Sequence, residues 1–241
     1  MTTLFVPVGK ANQARRAAVW VFCCTLSWVG IFCGAPVSAR QPVNPCAHQD
    51  LPRLIGEIQR HYQVTDSFRA SFAEQIVPLS GEPKMRHGKI YLQKPGKMRW
   101  DFAAPDNETI VCDGTTLYSY QPDLNQVVEV PISRAFSSSA ATAFLLGVGR
   151  LEQDFQPAWP ASQPADGSVG VVLRPKPGQG TGQTVDLEVD PHTCSIKAVR
   201  IEDQIGNVTR LEFLNPQTNV GLDASMFHFN VPAGADVVQA P

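Results

Sequence analysis

The sequence predicts a mainly β protein with a few helices, built on a meandering antiparallel sheet that is barrel-like or folded over. Three observations predict this class. Apolar and polar residues alternate along many short segments, turn signals separate several of these segments, and a helical spacing of apolar residues occurs near residue 50. The chain of 241 residues is long enough for one all-β domain with a sizeable core.

The first 39 residues have the order of a secretory signal peptide. A basic stretch comes first, with Lys10, Arg15 and Arg16. No charged residue occurs from 17 to 36, and Val37-Ser38-Ala39 then supplies small residues before a cleavage site. We therefore expect a signal peptide at 1–39 and a single domain at 40–241. Because about 20 apolar residues can also span a bilayer, an uncleaved membrane anchor is the alternative.

Charge and cysteine content exclude several classes of partner and site. Residues 40–241 contain 17 basic and 22 acidic residues, and a net charge of −5 argues against binding to nucleic acid. Three cysteines remain in this part of the chain, namely Cys46, Cys112 and Cys194. They allow one intramolecular disulfide, whose members the spacing leaves open. Wide separation disfavours zinc, so neither a metal nor a cofactor is expected.

The first predicted element of the mature chain is an amphipathic helix at about 50–63. Its apolar residues recur every three or four positions, at Leu51, Leu54, Ile55, Ile58 and Tyr62.

The period then changes to two, which is typical of strands with one buried face. Three successive segments place their apolar residues on one side, namely Phe68, Phe72 and Ile76, then Ile90 and Leu92, then Met98, Trp100 and Phe102. Shorter predicted strands follow from 108–112 onward and end with MFHFNV at 226–231. Turn signals at Asp113-Gly114, Asp190-Pro191-His192 and Gly206-Asn207 predict hairpins.

One segment interrupts the strands. Residues 137–149 begin with a serine cluster suited to helix capping, continue with Phe144, Leu145 and Leu146, and end at two glycines. We expect a short apolar helix that covers the open face of the sheet. Residues 157–168 and 175–183 are rich in Pro, Gly, Gln and Ser, which indicates surface loops.

No catalytic residue is predicted. The five histidines form no metal-binding pair, and no Gly-x-Ser-x-Gly elbow or Cys-x-x-Cys occurs. The glycine-rich 178–182 follows Pro177 and opens no helix, so we interpret it as a flexible loop. Asp101, Asp106 and Glu108 are interpreted as solvated strand and turn residues. The apolar face of the sheet remains the candidate site, and composition leaves a packed core and a ligand cavity equally open.

Three runs of sequence resemble the periplasmic lipoprotein carrier family, LolA. They are F-R-A-S-F-x-E-Q from Phe68, G-K-I-Y-L-Q-K-P-G-K-M-R-W-D-F from Gly88, and P-D-x-E-T-I-V-C-D-G-T-T-L-Y-S-Y-x-P-x-L-N-Q-V from Pro105. The resemblance continues more loosely to M-F-H-F-N-V-P-A-G-A-D-V near the C-terminus.

The resemblance implies an incomplete antiparallel β-barrel, or half-barrel, covered by short α-helices that enclose an apolar cavity. It also implies a periplasmic carrier that takes lipoproteins by their acyl chains from an inner-membrane ABC-type releasing complex to an outer-membrane acceptor. We expect a monomer without enzymatic activity. The predicted cavity lining is Phe68, Phe72, Ile90, Leu92, Met98, Trp100, Phe102, Phe144 and Leu145.

Lys94 falls where the family commonly has an arginine that holds the lid by hydrogen bonds to loop carbonyls. Lysine lacks the planar fork of donors, so a weaker lid contact is expected at this rim position.

Two other functions compete with the carrier. One is a secreted lipid- or lipoprotein-sensing module of an envelope-stress system, and the other is a secreted hydrolase, whose residues are missing.

Overall fold

Helices and strands of the computed structural model are described for residues 44–47, 50–135, 151–177 and 183–239. All of these residues belong to one compact unit, Gln41–Pro241. The helices in this part of the chain are α1 (Leu51–Gln63), α2 (Ile132–Ala135) and α3 (Leu151–Asp154), with 3-10 helices at Pro122–Leu124 and Ala224–Phe227.

The described strands number twelve. They are β1 (Ser67–Val77), β2 (Lys84–Gln93), β3 (Lys97–Phe102), β4 (Thr109–Asp113), β5 (Thr116–Gln121), β6 (Gln126–Pro131), β7 (Phe155–Ala158), β8 (Val169–Pro175), β9 (Thr184–Val189), β10 (Ile196–Glu202), β11 (Val208–Thr218) and β12 (Asp236–Gln239).

The strands form one open sheet in the order β12-β6-β5-β4-β3-β2-β1-β11-β10-β9-β8-β7. Neighbouring strands are antiparallel except β12, which pairs in parallel with β6. The long β1 lies near the middle and pairs with both β2 and β11, so it joins the two halves. The mainly β class and the open antiparallel sheet are therefore confirmed.

Helix α1 forms where the sequence predicted it, one residue shorter at the N-terminal end. Pro52 fits the first turn because its missing N–H would have no partner within the helix there. The buried face comprises Leu54, Ile55, Ile58 and Tyr62, and belongs to the same core as the apolar residues of the sheet.

The three predicted hairpins are also present. In the β4–β5 turn, Gly114 has a φ of +105°, and the Asp113 carboxylate accepts hydrogen bonds from the N–H groups of Thr115 (2.7 Å) and Thr116 (2.9 Å). The Asp190 carboxylate accepts in the same way from His192 and Thr193 between β9 and β10. An aspartate carboxylate that accepts hydrogen bonds from backbone N–H groups two or three residues later stabilises a turn.

Near the C-terminus the strand predicted at 226–231 is wrong. Residues Ala224–Phe227 form a 3-10 helix against β3 and β4, and the last strand comes later, at Asp236–Gln239. Phe227 and Phe229 alternate as in a strand, but they pack against the sheet without forming hydrogen bonds of a β-strand. Phe227 is buried, and the ring of Phe229 stacks on Tyr118 of β5 at a centroid distance of 5.2 Å. The loop predicted from 157 also begins two residues late, because β7 extends to Ala158.

Within the described ranges, no helix is long and apolar enough to cross a membrane.

Candidate functional site

The seven strand residues predicted to line a cavity lie on one face of the sheet, which we call the inner face. Phe68 and Phe72 belong to β1, Ile90 and Leu92 to β2, and the other three to β3. Cross-strand register brings them together, with Phe68 opposite Leu92, Leu92 opposite Met98, and Ile90 opposite Trp100. The period-two pattern therefore assigned this face correctly.

An aromatic cluster forms the centre of the inner face. The ring of Phe72 meets Trp100 at 4.8 Å and Phe102 at 5.1 Å between centroids, both edge to face. Gly88 makes room for this ring, because a Cβ at that position would lie 2.9 Å from Phe72 and 2.1 Å from the Asp101 carbonyl oxygen. The glycine is thus required for the aromatic packing.

Helix α1 contributes its apolar side to the same buried cluster. Ile90 is 0% exposed and Met98 is 4% exposed, whereas Trp100 is only partly buried. At the α1 end of this face lies a small apolar pocket of about 10 Å³, bordered by Tyr62, Phe68, Leu92, Lys94 and Phe213. The predicted lining residues Phe144 and Leu145, and the helix predicted around them, lie outside the described residues.

Lys94 lies at the end of β2, where the apolar inner face stops. Its ammonium group donates a hydrogen bond to the Tyr62 carbonyl oxygen at the C-terminal end of α1, and its N–H donates to the Asp66 carbonyl oxygen at 2.9 Å. Burial lowers the pKa of Lys94, and Asp66 partly opposes that change. A single side chain thus connects the rim of the inner face to the helix that packs on it.

Two further contacts hold the same end of α1. The Tyr62 hydroxyl accepts a hydrogen bond from the N–H of Ile196 at 3.0 Å, and burial raises the pKa of this phenol. The Asn219 side chain donates to the Val64 carbonyl oxygen at 3.3 Å. Burial, followed by the charge of Lys94, lowers the pKa of His61.

A disulfide between Cys46 and Cys194 holds the segment before α1, with a Cα–Cα distance of 5.4 Å. The Cys46 N–H also donates to the Pro191 carbonyl oxygen at 3.0 Å, and the side chains of Asn44 and His192 meet at 2.7 Å. Cys112 is the free cysteine of the described residues; it is buried, and burial raises its pKa. The structure thereby resolves the pairing that spacing had left open.

Sequence reasoning missed a group of charged side chains at the other end of the inner face. We call it the Arg86 cluster, and it consists of Glu74, Lys84, Arg86, Asp106 and Glu108. The interpretation of Asp106 and Glu108 as solvated residues is wrong, because their side chains are 15% and 17% exposed and both pair with Arg86. The Asp101 side chain is more accessible, at 35% exposed, and pairs with Arg99. The sequence did contain a signal for this cluster. Glu74 lies an even number of residues after Phe68 and Phe72, so its side chain is on the same face of β1.

Among the described residues, no group of three or more His, Cys, Asp or Glu side chains could hold a metal ion.

Comparison with known proteins gives one consistent family. A family model described as "Outer membrane lipoprotein carrier protein LolA" matches residues 63–230. Relatives named "Outer-membrane lipoprotein carrier protein" include one from Methylobacillus flagellatus, 32% identical over 76% of this chain and 88% of the relative. Another, from Bordetella avium, is 33% identical over 80% of this chain and 87% of the relative.

Solved structures are more distant. A LolA superfamily protein from Nitrosomonas europaea has a TM-score of 0.43 and 13% identity, covering 73% of this chain and 96% of that one. A "putative outer membrane lipoprotein-sorting protein domain" from Vibrio parahaemolyticus also has a TM-score of 0.43, with 12% identity, over 72% and 95% of the two chains. The family match and the sequence relatives decide the assignment: the chain belongs to the LolA family of outer membrane lipoprotein carrier proteins.

Proposed function

We propose that this protein is a periplasmic carrier that binds the acyl chains of lipoproteins on its inner face and takes them from the inner to the outer membrane. The observation that carries the proposal is the continuous apolar face from Phe68 to Phe102, packed together with the apolar side of α1. The names of the sequence relatives support the same cargo.

The energetics of the cargo explain why such a face is needed. Each acyl methylene gains about 0.8 kcal/mol on transfer from water to an apolar environment, so a lipoprotein with long chains leaves a membrane only if an apolar surface receives them. The binding surface must also be closed when empty, because a large exposed apolar patch promotes aggregation. We propose that α1, whose apolar side shares a buried cluster with the inner face, contributes to that closure.

We infer that loading moves α1, because its apolar side belongs to the same buried cluster as the inner face. Among the polar contacts described at its C-terminal end, the hydrogen bond from the Lys94 ammonium group involves a charged donor. We infer that acyl chains replace the apolar side of α1 on the inner face. Release follows in reverse, when an acceptor offers the chains a better apolar environment.

We propose that residues 1–39 are a signal peptide that directs the protein to the periplasm, and that its partners are an inner-membrane ABC-type releasing complex and an outer-membrane acceptor. We further propose that the carrier acts without catalysis, because moving a lipid anchor between apolar surfaces breaks no covalent bond. N-terminal sequencing of the exported protein is expected to read from Arg40.

Lipoprotein release from membranes tests the function. Purified protein of residues 40–241 is added to spheroplasts that contain a radiolabelled triacylated lipoprotein, and the supernatant is analysed by size-exclusion chromatography. We expect the label to elute in a soluble complex with this protein. A lipoprotein whose acylated cysteine is replaced by serine is the control and needs no carrier. Failure to release the acylated form, with all protein remaining unbound, would contradict the proposal.

A further inference from the structure

The Arg86 cluster is an unusual feature for the edge of an apolar surface. Its four least exposed members, Glu74, Arg86, Asp106 and Glu108, have side chains only 14–17% exposed. Charged groups are costly to bury unless they are paired; Arg86 pairs with all three carboxylates, although Glu74 Oε2 and Arg86 Nε make no hydrogen bond.

Arg86 is the centre of the cluster. Its guanidinium carbon lies 3.6 Å from the centroid of the Phe102 ring, and its nitrogens lie 3.5 Å from carboxylate oxygens of both Glu74 and Asp106. Glu108 accepts a further hydrogen bond from it. Lys84 contacts Asp106 at 2.5 Å, and the Ser119 hydroxyl donates to Glu108 at 3.1 Å. The guanidinium plane therefore ends the aromatic part of the inner face.

The strand register places this cluster near one end of β2, whereas Lys94 follows the other end. Arg86 pairs with Glu74 two residues beyond the Gly88–Phe72 pair, and all four positions share the inner face. At about 3.3 Å per residue, the apolar stretch from Leu92 to Gly88 spans roughly 13 Å. The two polar ends themselves, Lys94 and Arg86, are eight residues apart, or roughly 26 Å, and the apolar stretch lies between them.

We propose that the Arg86 cluster is the end wall of the acyl site and determines the longest acyl chain that the carrier accepts. This inference rests on the proposed function. A chain that lies along β2 from the Lys94 end meets the Phe102–Arg86 stack with its terminal methyl group. Extending further would separate Arg86 from its carboxylates and leave buried charges unpaired, which is strongly unfavourable.

The test measures chain-length selection in the mature protein. Saturated fatty acids of 12 to 22 carbons compete with a fluorescent fatty acid, and affinity is plotted against length. For the wild type we expect affinity to rise and then stop rising at a limiting length. In the triple variant Glu74→Leu, Arg86→Met, Glu108→Gln, we expect the limit to move to longer chains. Since each buried methylene contributes about fourfold, two more carbons gain roughly fifteenfold in affinity.

A matched control removes an ion pair of the same type from the opposite face. Arg210 and Glu188 lie on β11 and β9 and contact each other at 2.6 Å, so Glu188→Leu with Arg210→Met changes charge away from the inner face. This control is expected to keep the wild-type limit. The inference is overturned if the triple variant folds and binds with an unchanged limit.

Two other outcomes are also decisive. If the triple variant unfolds, Arg86→Lys decides, because it keeps the positive charge but loses the plane that covers Phe102; a limit shifted by a smaller amount supports the end wall, and an unshifted limit refutes it. If the wild type binds no acyl chain of any length, the proposed function fails and the end wall fails with it. A shifted limit without lipoprotein release would refute only the transport step.

Discussion

At the scale of single residues, Lys94 connects the rim of the inner face to α1. Replacing it with leucine removes the hydrogen bond to the Tyr62 carbonyl oxygen. We expect the free energy of unfolding to fall by about 1 kcal/mol, the usual contribution of one hydrogen bond. A fluorescent fatty acid should bind about fivefold faster, because 1 kcal/mol less holds α1 in its closed position.

Stopped-flow fluorescence and urea denaturation measure the two effects of Lys94→Leu. Lys94→Arg is the conservative control, since arginine keeps the charge and adds donors; it should bind the fatty acid no faster than the wild type. If all three proteins take up the fatty acid at the same rate, Lys94 has no role in opening.

Glu74 gives the Arg86 cluster a distinctive pH dependence. Burial raises its pKa from the ordinary value of 4.5, although Arg86 opposes the change. An acid with a raised pKa in the folded state stabilises the fold when protonated, and that contribution is lost as pH rises through the folded-state pKa. We therefore expect Glu74→Gln to become more stable relative to the wild type as pH rises above about 4.5.

Denaturation at a series of pH values tests this expectation. Asp106 is the control, because its hydrogen bond with Lys84 lowers its pKa. Asp106→Asn should therefore show the opposite trend: it loses stability relative to the wild type as pH rises through the lowered folded-state pKa toward 3.8, and the difference stays constant above that pH. Parallel stability curves for Glu74→Gln and the wild type would show that the Glu74 carboxylate is not perturbed by its surroundings.

Residue patterns predicted the inner face but not its charged end. Alternation in K-M-R-W-D-F fixed which side of β3 is buried, because side chains of a strand alternate strictly between faces. Glu74 and Arg86 have the spacing of inner-face residues, but in a sequence a charged residue at such a position indicates that the buried face has ended. Their mutual pairing depends on the register of β1 with β2, which no local pattern contains.

At the scale of elements, helix α1 was predictable and the C-terminal segment was not. The helix has a clear apolar stripe, so local sequence and tertiary packing agree. Residues 226–231 alternate like a strand, but Phe229 stacks on Tyr118, and the Arg99 side chain donates to the Met226 carbonyl oxygen at 3.1 Å. Tertiary contacts therefore override the local pattern.

The disulfide makes α1 a helix that is restrained at both ends, by Cys46 before it and by β1 after it. Cys46→Ser with Cys194→Ser should lower the free energy of unfolding by about 2–5 kcal/mol, because the bond closes a loop of 148 residues. The same variant should bind a fluorescent fatty acid faster, since α1 can move further. Urea denaturation and stopped-flow fluorescence measure these effects.

A Gly-Ser-Gly-Ser insertion between His48 and Gln49 distinguishes the restraint on α1 from the stability of the fold. It keeps the disulfide and lengthens only the connection to α1. We expect near wild-type denaturation together with faster fatty acid binding. If the insertion leaves the binding rate unchanged, the restraint on α1 does not limit loading.

At the scale of the whole molecule, the two faces of the sheet differ: we propose that one binds acyl chains and that the other meets solvent and partners. The inner face is apolar, shares a buried cluster with α1, and is bounded by Lys94 at one end and Arg86 at the other. The outer face carries polar and charged residues on the same strands, such as Lys89 and Tyr91 beside Arg69. We therefore expect acyl chains to contact the inner face and not the outer face.

Site-specific photo-crosslinking tests that claim most directly. Trp100 on the inner face and Tyr91 on the outer face are both aromatic and partly buried, so p-benzoylphenylalanine can replace either one with a similar change in size. Each protein is loaded with radiolabelled triacylated lipoprotein and irradiated. We predict a crosslink to the acyl moiety from position 100 and none from position 91. Equal crosslinking from both positions, or crosslinking from position 91 alone, would contradict acyl binding on the inner face.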